Sequence, residues 1–107
     1  MLQIASTNEQ KVPVTATPLT AKGKAALVDG PLRVTVQSGD GTFEQDAATP
    51  LMFKAVSGDN PGTTVYLVEA DVDLGAGQVL IQDTVEYTVS GAQASSFGLT
   101  SGAPELK

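Results

Sequence analysis

The sequence contains no cysteine, no histidine and no tryptophan. Without cysteine the chain forms no disulfide and offers no thiolate to a metal, so its composition does not indicate a redox compartment. Without histidine, the serine hydroxyls have no imidazole to act as their base, and without cysteine there is no thiol nucleophile. These absences remove the commonest groups of hydrolytic active sites and predict that the protein is not an enzyme.

Long apolar runs and clustered positive charge are also missing. No stretch approaches the ~18 apolar residues of a membrane-spanning helix. The first residues, MLQIASTNEQ, lack the basic and apolar regions of a secretory signal peptide. The net charge of −6 argues against nucleic acid and anionic membranes as partners, because both attract clustered Lys and Arg. If Met1 is the natural start, the protein is expected to be made and folded in the cytoplasm.

The residues that are present predict one small β-domain. A length of 107 residues suits a single domain, and a hydrophobic content of 41 % with 17 % charged residues lies outside the disordered class. Eleven glycines and six prolines are spread along the chain, which is typical of many short strands separated by turns. With three Phe and two Tyr as the aromatics, the core must consist mainly of Val, Leu, Ile and Ala.

The segment 58–73, GDNPGTTVYLVEADVD, organises the rest of the pattern. It opens with a turn in which Gly, Pro, Asp and Asn supply the required backbone angles. A β-prone run follows, and one of its faces is apolar: Tyr66, Val68, Ala70 and Val72. The other face ends in carboxylates: Glu69, Asp71 and Asp73. The pattern predicts a central strand whose far end reaches solvent.

Alternating polar and apolar residues predict further strands at 2–6, 11–19, 32–38, 42–45, 51–56, 78–90 and 94–100. A long loop is predicted at 20–31 and a loose tail at 101–107. Two prolines place the segment 11–19 at an edge, a bulge or a solvent-facing position, and Asp83 interrupts the apolar face of 78–90 in a way typical of a bulge. Seven to eight short strands without a helical period indicate an all-β, antiparallel β-sandwich. A small closed barrel is the alternative.

The order of these pieces resembles the bacterial immunoglobulin-like domains, most nearly the group 2 type. The matching segments are KVPVTATPLTAKGKAALVDGP, VTVQSGDGTF and LMFKAVSGDNPGTTVYLVEADVDLGAG, within residues 11–90. The resemblance implies a single immunoglobulin-like β-sandwich over residues 1–107, with its core in 11–90. Val34 stands where such domains often carry a tryptophan, which implies a smaller central packing unit.

The resemblance also implies a non-catalytic structural or binding module without a cofactor. Similar domains occur in the tail, fibre and capsid-decorating proteins of phages and in bacterial surface proteins. The first expectation is therefore a capsid decoration or cement protein, located in the virion and bound to another virion protein. The alternative is a module of a bacterial cell-surface protein or adhesin. A carbohydrate-binding sandwich is a third candidate, which the missing tryptophan disfavours.

A calcium site is the one metal site that the sequence suggests. An EF-hand loop that starts at Asp71 needs an oxygen ligand at its fifth position, Gly at its sixth and Glu at its twelfth. Those positions hold Gly75, Ala76 and Gln82. Asp71 and Asp73 remain candidate ligands, together with a carboxylate from another loop such as Asp29 or Asp40. The favoured interpretation is a solvated acidic strand end without metal.

Partner contacts are expected at one loop and at the two terminal strands. Lys22 and Lys24 form the most basic spot and can meet an acidic protein surface. The terminal strands offer unpaired backbone groups if they lie at sheet edges, so another chain can add to them. Their apolar residues are the expected contacts: Leu2, Ile4, Phe97 and Leu99.

Overall fold

The computed structural model describes residues 1–72, 75, 77, 79–92 and 97–107, and the regular structure within these ranges is entirely β. It comprises seven strands: β1 Leu2–Thr7, β2 Lys11–Thr15, β3 Asp29–Ser38, β4 Thr42–Glu44, β5 Met52–Val56, β6 Gly62–Asp71 and β7 Leu80–Ser90. They form a four-stranded sheet in the order β1-β7-β6-β3 and a three-stranded sheet in the order β2-β5-β4. The predicted all-β fold is confirmed.

Inward-facing side chains from both sheets form the core. Its buried apolar residues are Val14, Leu32, Val34, Phe53, Ala55, Tyr66, Ala70, Val85, Tyr87 and Val89. Phe53 of β5 and Tyr66 of β6 meet with their ring centroids 5.7 Å apart, so the two sheets pack face to face. Because the described strands form two separate sheets with free edges, they make an open sandwich and not a closed barrel.

β6 is the central strand that the sequence predicts. It lies between β7 and β3 and pairs antiparallel with both. Tyr66 and Ala70 are buried, and Val68 is partly buried against the core. Glu69 and Asp71 alternate with them and point away from the core, as their positions in the sequence predict.

β1 pairs with β7 in parallel, so the predicted antiparallel sandwich is wrong for this pair. Leu2 lies opposite Val85, and Thr7 lies opposite Ser90. The cause is the turn that follows β1, which carries the chain into the other sheet, where β2 pairs with β5. The N–H of Asn8 in this turn donates to the carbonyl of Ser90 at 2.9 Å. β1 leads into this turn, and β7 ends beside it at Ser90. The two strands therefore run in the same direction.

β7 keeps one register with β6 along its whole length, from Gly62 opposite Val89 to Asp71 opposite Leu80. The bulge predicted at Asp83 is therefore wrong. Asp83 stays on the inward-alternating face but lies where β2 ends, so its carboxylate remains exposed to solvent. Ile81, on the same face, is exposed for the same reason.

The ends of two strands, β3 and β2, differ from those that the sequence predicts. β3 begins at Asp29, which pairs with Asp71, so residues 29–31 belong to a strand and not to the predicted loop. A register shift between Asp29 and Arg33 accommodates Gly30 and Pro31. β2 is shorter than the predicted strand but lies at a sheet edge, which agrees with its proline at position 13.

The predicted strand at 94–100 is wrong for residues 97–100, which form no strand, while residues 94–96 lie outside the described ranges. The outer edge of β7 from Val85 to Ser90 is already occupied by β1, so this edge has no free position for a further strand. Residues 101–107 are exposed and contain no regular structure. No helix in the described part of the chain is long and apolar enough to span a membrane.

Candidate interaction surfaces

The two sheets differ in length, and a cleft opens where the longer one extends past the shorter. β7 continues for residues 80–84 beyond its pairing with β1. Under this extension lies a cleft of about 280 Å³, which we call the open cleft. Its walls are mainly apolar and include Ala16, Pro18, Leu32, Val68, Ala70 and Ile81. Ile81 is 48 % exposed at its mouth, so the cleft offers an apolar contact without any rearrangement of the core.

The amino terminus lies at the mouth of the open cleft. The ammonium nitrogen of Met1 is 3.1 Å from Oδ1 of Asp83. The pKa of Asp83 is lowered, first by the hydrogen bond that the N–H of Thr84 donates to this carboxylate and second by the ammonium group. The carboxylate therefore stays ionised at neutral pH and belongs to the polar rim of the cleft, together with Thr17, Glu69 and Gln82.

A second apolar surface lies in residues 97–107, which we call the C-terminal arm. Phe97 is 89 % exposed and Leu99 is 88 % exposed, and Leu106 is fully exposed as well. No residue from 97 to 104 carries a charge. The arm holds both C-terminal contact residues that the sequence predicts, and their side chains are available to a partner.

β1 lies at the edge of its sheet, as strand addition requires. Its two predicted contact residues differ in their surroundings. Leu2 is exposed, whereas Ile4 is partly buried and packs against the core. Leu2 is thus available for contact with a partner, while Ile4 belongs mainly to the sandwich.

Lys22 and Lys24 lie on the tip of a small hairpin. An isolated bridge joins Leu19 to Ala25, and the N–H of Thr20 donates to the carbonyl of Lys24 at 2.8 Å. Gly23 has a φ of 77°, which lets the chain reverse between the two lysines. Both lysines are exposed, and together they present two positive charges on a protein whose net charge is −6.

At the acidic end of β6, the described carboxylate of Asp71 takes part in a hydrogen bond within the fold. Oδ1 of Asp71 accepts a hydrogen bond from the N–H of Val79 at 3.0 Å. Asp29 is its neighbour on β3, whereas Asp40 accepts bonds from Asn60 at the opposite end of β6. The two ends of β6 are roughly 30 Å apart at ~3.3 Å per residue, so Asp40 cannot share a cation with Asp71.

Asp73 lies outside the described residues. Within those that are described, no group of three or more His, Cys, Asp or Glu is arranged to hold a metal ion.

Buried hydroxyl groups tie the loops of the other end to the sandwich. The Tyr66 hydroxyl donates to the carbonyl of Thr42 at 2.6 Å. The Tyr87 hydroxyl bonds Oγ of Ser6 and donates to the carbonyl of Gln10. Burial is the main reason that the pKa of Tyr66 is raised to about 12. These hydroxyls are used within the fold, since each already has a protein partner.

Neither the hydroxyl network nor the open cleft was identified from the sequence. A tyrosine at an inward strand position signals the network, because a buried phenol needs a hydrogen-bond partner. The signal for the cleft is an apolar face on β7 that is longer than the strands of the facing sheet.

Comparison with known proteins identifies no relative. No protein-family model matches the chain, and no curated protein or solved structure matches it either. What the chain does is therefore inferred from its own residues.

Proposed function

We propose that the chain is a non-catalytic binding module of a phage virion, acting as a capsid decoration or cement protein. The observation that carries this proposal is the exposure of large apolar side chains outside the core. Leu2 on β1, Ile81 at the open cleft, and Phe97 with Leu99 on the C-terminal arm remain exposed. Apolar side chains that lie together on a protein surface, as Phe97 and Leu99 do, mark contact sites for other molecules.

The strand order supports an immunoglobulin-like module. In immunoglobulin domains one sheet contains strands C, F and G, and the other contains B, E and D. The present chain has the matching sets β3-β6-β7 and β2-β5-β4. This correspondence supports the resemblance to bacterial immunoglobulin-like domains and, through it, the virion context.

The hydrogen bonds of two serine hydroxyls within the fold support a non-catalytic role. Oγ of Ser57 donates to the carbonyl of Gln10 at 2.6 Å, and Oγ of Ser6 bonds the Tyr87 hydroxyl. A carbohydrate-binding role has no stacking platform, because Phe97 is the one strongly exposed aromatic residue among the five. Binding to protein is the activity that remains for this surface.

The hairpin tip with Lys22 and Lys24 is the proposed contact with the capsid. Two exposed cations on an acidic protein select an acidic patch on the partner and orient the module as it approaches. A capsid presents many copies of each site, so a modest interface per copy is sufficient where neighbouring copies also touch.

The test is co-sedimentation of purified protein with capsids that lack it. We expect saturable binding with a fixed number of copies per capsid. The double variant Lys22→Glu/Lys24→Glu should bind at least about tenfold more weakly, because it replaces attraction with repulsion. The matched control is Lys54→Glu, an exposed lysine that lies on β5 and not on the hairpin, which should bind like the natural sequence.

Absence of co-sedimentation, together with the same domain in an exported surface protein, would rule out the decoration role. Equal binding by the double variant and the control would show that the hairpin tip is not the contact. Circular dichroism of each variant checks that the sandwich is intact.

A module of a bacterial surface protein or adhesin is the second candidate, and one observation favours it. Because β1 and β7 are parallel, the chain enters the sandwich at one end and leaves β7 at the other. This arrangement suits domains joined end to end in an extended stalk. Sequence of the complete reading frame distinguishes the two candidates, since a stalk requires export and neighbouring repeats.

A further inference from the structure

We propose that copies of this chain associate with each other by strand addition. Residues 97–101 of one copy pair alongside residues 80–82 of β7 in a second copy and seat Phe97 and Leu99 against its open cleft. This contact is separate from the proposed attachment to a capsid, because it joins two copies of the chain and does not involve the hairpin tip.

The acceptor is a strand edge next to an apolar cleft. Residues 80–82 pair with β6 on one side, while β1 begins opposite Val85, so no strand among the described residues covers the other side. The ammonium group of Met1 reaches only to Asp83. An uncovered edge presents backbone N–H and C=O groups to an incoming strand. Ile81 at this edge leads directly into the open cleft.

The donor is the first part of the C-terminal arm. Phe97 and Leu99 are two residues apart, so an extended backbone places both on the same face. Gly98 between them keeps the opposite face small, and residues 97–104 carry no charge, so the donor segment itself brings no ion that pairing would desolvate. An aromatic side chain removes ~150–250 Å² of surface from water when buried, which makes Phe97 the expected anchor.

We assign the occupant to another copy, because the arm does not cover the cleft of its own copy: Phe97 is 89 % exposed and Leu99 is 88 % exposed. Ile81 lies nine residues back along β7, at ~30 Å from Ser90. To reach it within one copy, the arm would have to reverse direction after Ser90 and run almost fully extended beside β1. A second copy offers the same cleft without this constraint.

The donor and acceptor surfaces are different parts of the chain. Such a contact closes into a pair by reciprocal exchange, closes into a ring, or continues as an open chain. Each copy carries a net charge of −6, so repulsion opposes association at low salt. Added salt screens this repulsion and should strengthen the apolar contact.

The experiment is sedimentation velocity of the full chain over a wide range of protein concentrations without any capsid. We expect concentration-dependent association that increases with salt. The arm variant Phe97→Ala/Leu99→Ala and the cleft variant Ile81→Glu should each associate at least about tenfold more weakly. Leu106→Ala is the matched control, since Leu106 is equally exposed but lies outside the pairing segment.

Mixing the two variants provides the decisive measurement. The arm variant keeps an intact cleft and the cleft variant keeps an intact arm, so a mixture should form mixed complexes that neither variant forms alone. Amide exchange should then slow at residues 80–82 and 97–101 of the associated natural chain, and not at the hairpin tip. All substituted side chains are exposed, so folding is retained and circular dichroism verifies it.

A natural chain that stays monomeric at millimolar concentration would overturn the proposal. So would association that is unchanged in both variants, or a mixture of the two that fails to form complexes. Because these measurements contain no capsid, their outcome is independent of whether the protein decorates one.

Discussion

Tyr66 donates its hydroxyl hydrogen to the backbone carbonyl of Thr42 at 2.6 Å and so joins the two sheets. Tyr66 lies on β6 of the four-stranded sheet, and Thr42 begins β4 of the three-stranded sheet. The ring of Tyr66 is fully buried and meets Phe43 edge-on, with ring centroids 6.5 Å apart. One side chain thus supplies both packing and a hydrogen bond between the layers.

The variant Tyr66→Phe should lower the free energy of unfolding by about 1–3 kcal/mol, because the carbonyl of Thr42 loses this donor. Urea denaturation measures the change. The matched control is Tyr87→Phe, which should cost less. After that substitution the Ser6 hydroxyl donates its hydrogen to the carbonyl of Thr7, and the carbonyl of Gln10 still accepts from Ser57. If the two variants lost the same free energy of unfolding, the bond from Tyr66 to Thr42 would have no special weight in joining the sheets.

Stability should also fall at alkaline pH because of Tyr66. Burial, followed by the nearby Tyr87 and Asp40, raises the pKa of Tyr66 to about 12 from the ordinary value of 10.0. The unfolded chain then loses this proton at lower pH than the folded chain does. The stabilising contribution is therefore complete below pH ~10 and is lost as pH rises toward ~12.

Denaturation at several pH values measures this effect, and ultraviolet absorbance of tyrosinate follows the ionisation itself. Tyr66→Phe should flatten the fall in stability between pH ~10 and ~12, since the variant has no phenol at this position. A variant that loses stability as steeply as the natural chain in this interval would refute the role of Tyr66.

The strands could be predicted because alternation is a local property of the sequence. Leu32 and Val34 alternate with exposed residues, and they are buried as predicted. In segment 51–56 both faces are partly apolar, so alternation alone does not select the buried face. The structure buries Phe53 and Ala55, and this choice is set by the facing sheet and not by the segment itself.

The errors concern properties that depend on distant parts of the chain. The direction of β1 relative to β7 follows from a turn that changes sheets, and no local pattern in residues 2–6 encodes it. Phe97 and Leu99 alternate like a strand, yet β1 already occupies the edge of β7 beside Ser90. The open cleft depends on the relative lengths of two sheets, so it cannot be read from any one segment.

Gly39 should tolerate no side chain. Its φ is 94°, and a Cβ atom there would lie 2.6 Å from Cα of Thr64 and 2.7 Å from the carbonyl oxygen of Thr63. Both neighbours are backbone atoms of β6, which cannot move without disturbing the central strand. Gly39→Ala should therefore cost more than the ~1–2 kcal/mol expected from the left-handed backbone alone.

Gly23→Ala is the matched control for this prediction, because Gly23 has a φ of 77° and nothing within 4 Å of its Cβ position. This variant should lose only the ~1–2 kcal/mol that a left-handed backbone conformation costs a residue with a Cβ atom. Thermal and urea denaturation of both variants give the comparison. If both variants lose the same stability, the close approach of residue 39 to β6 has no energetic effect.

Calcium and chelators should leave the melting temperature unchanged. A cation that binds the folded state raises stability by mass action, so a real site would appear as a shift of the melting temperature. Oδ1 of Asp71 already accepts the N–H of Val79, and Asp40 lies at the far end of β6, which leaves few carboxylates for a shared site. The measurement is thermal denaturation in millimolar calcium and in excess chelator, with the double variant Asp71→Asn/Asp73→Asn beside the natural chain. A rise of several degrees with calcium in the natural chain, absent from the double variant, would establish a site at this strand end and overturn the prediction.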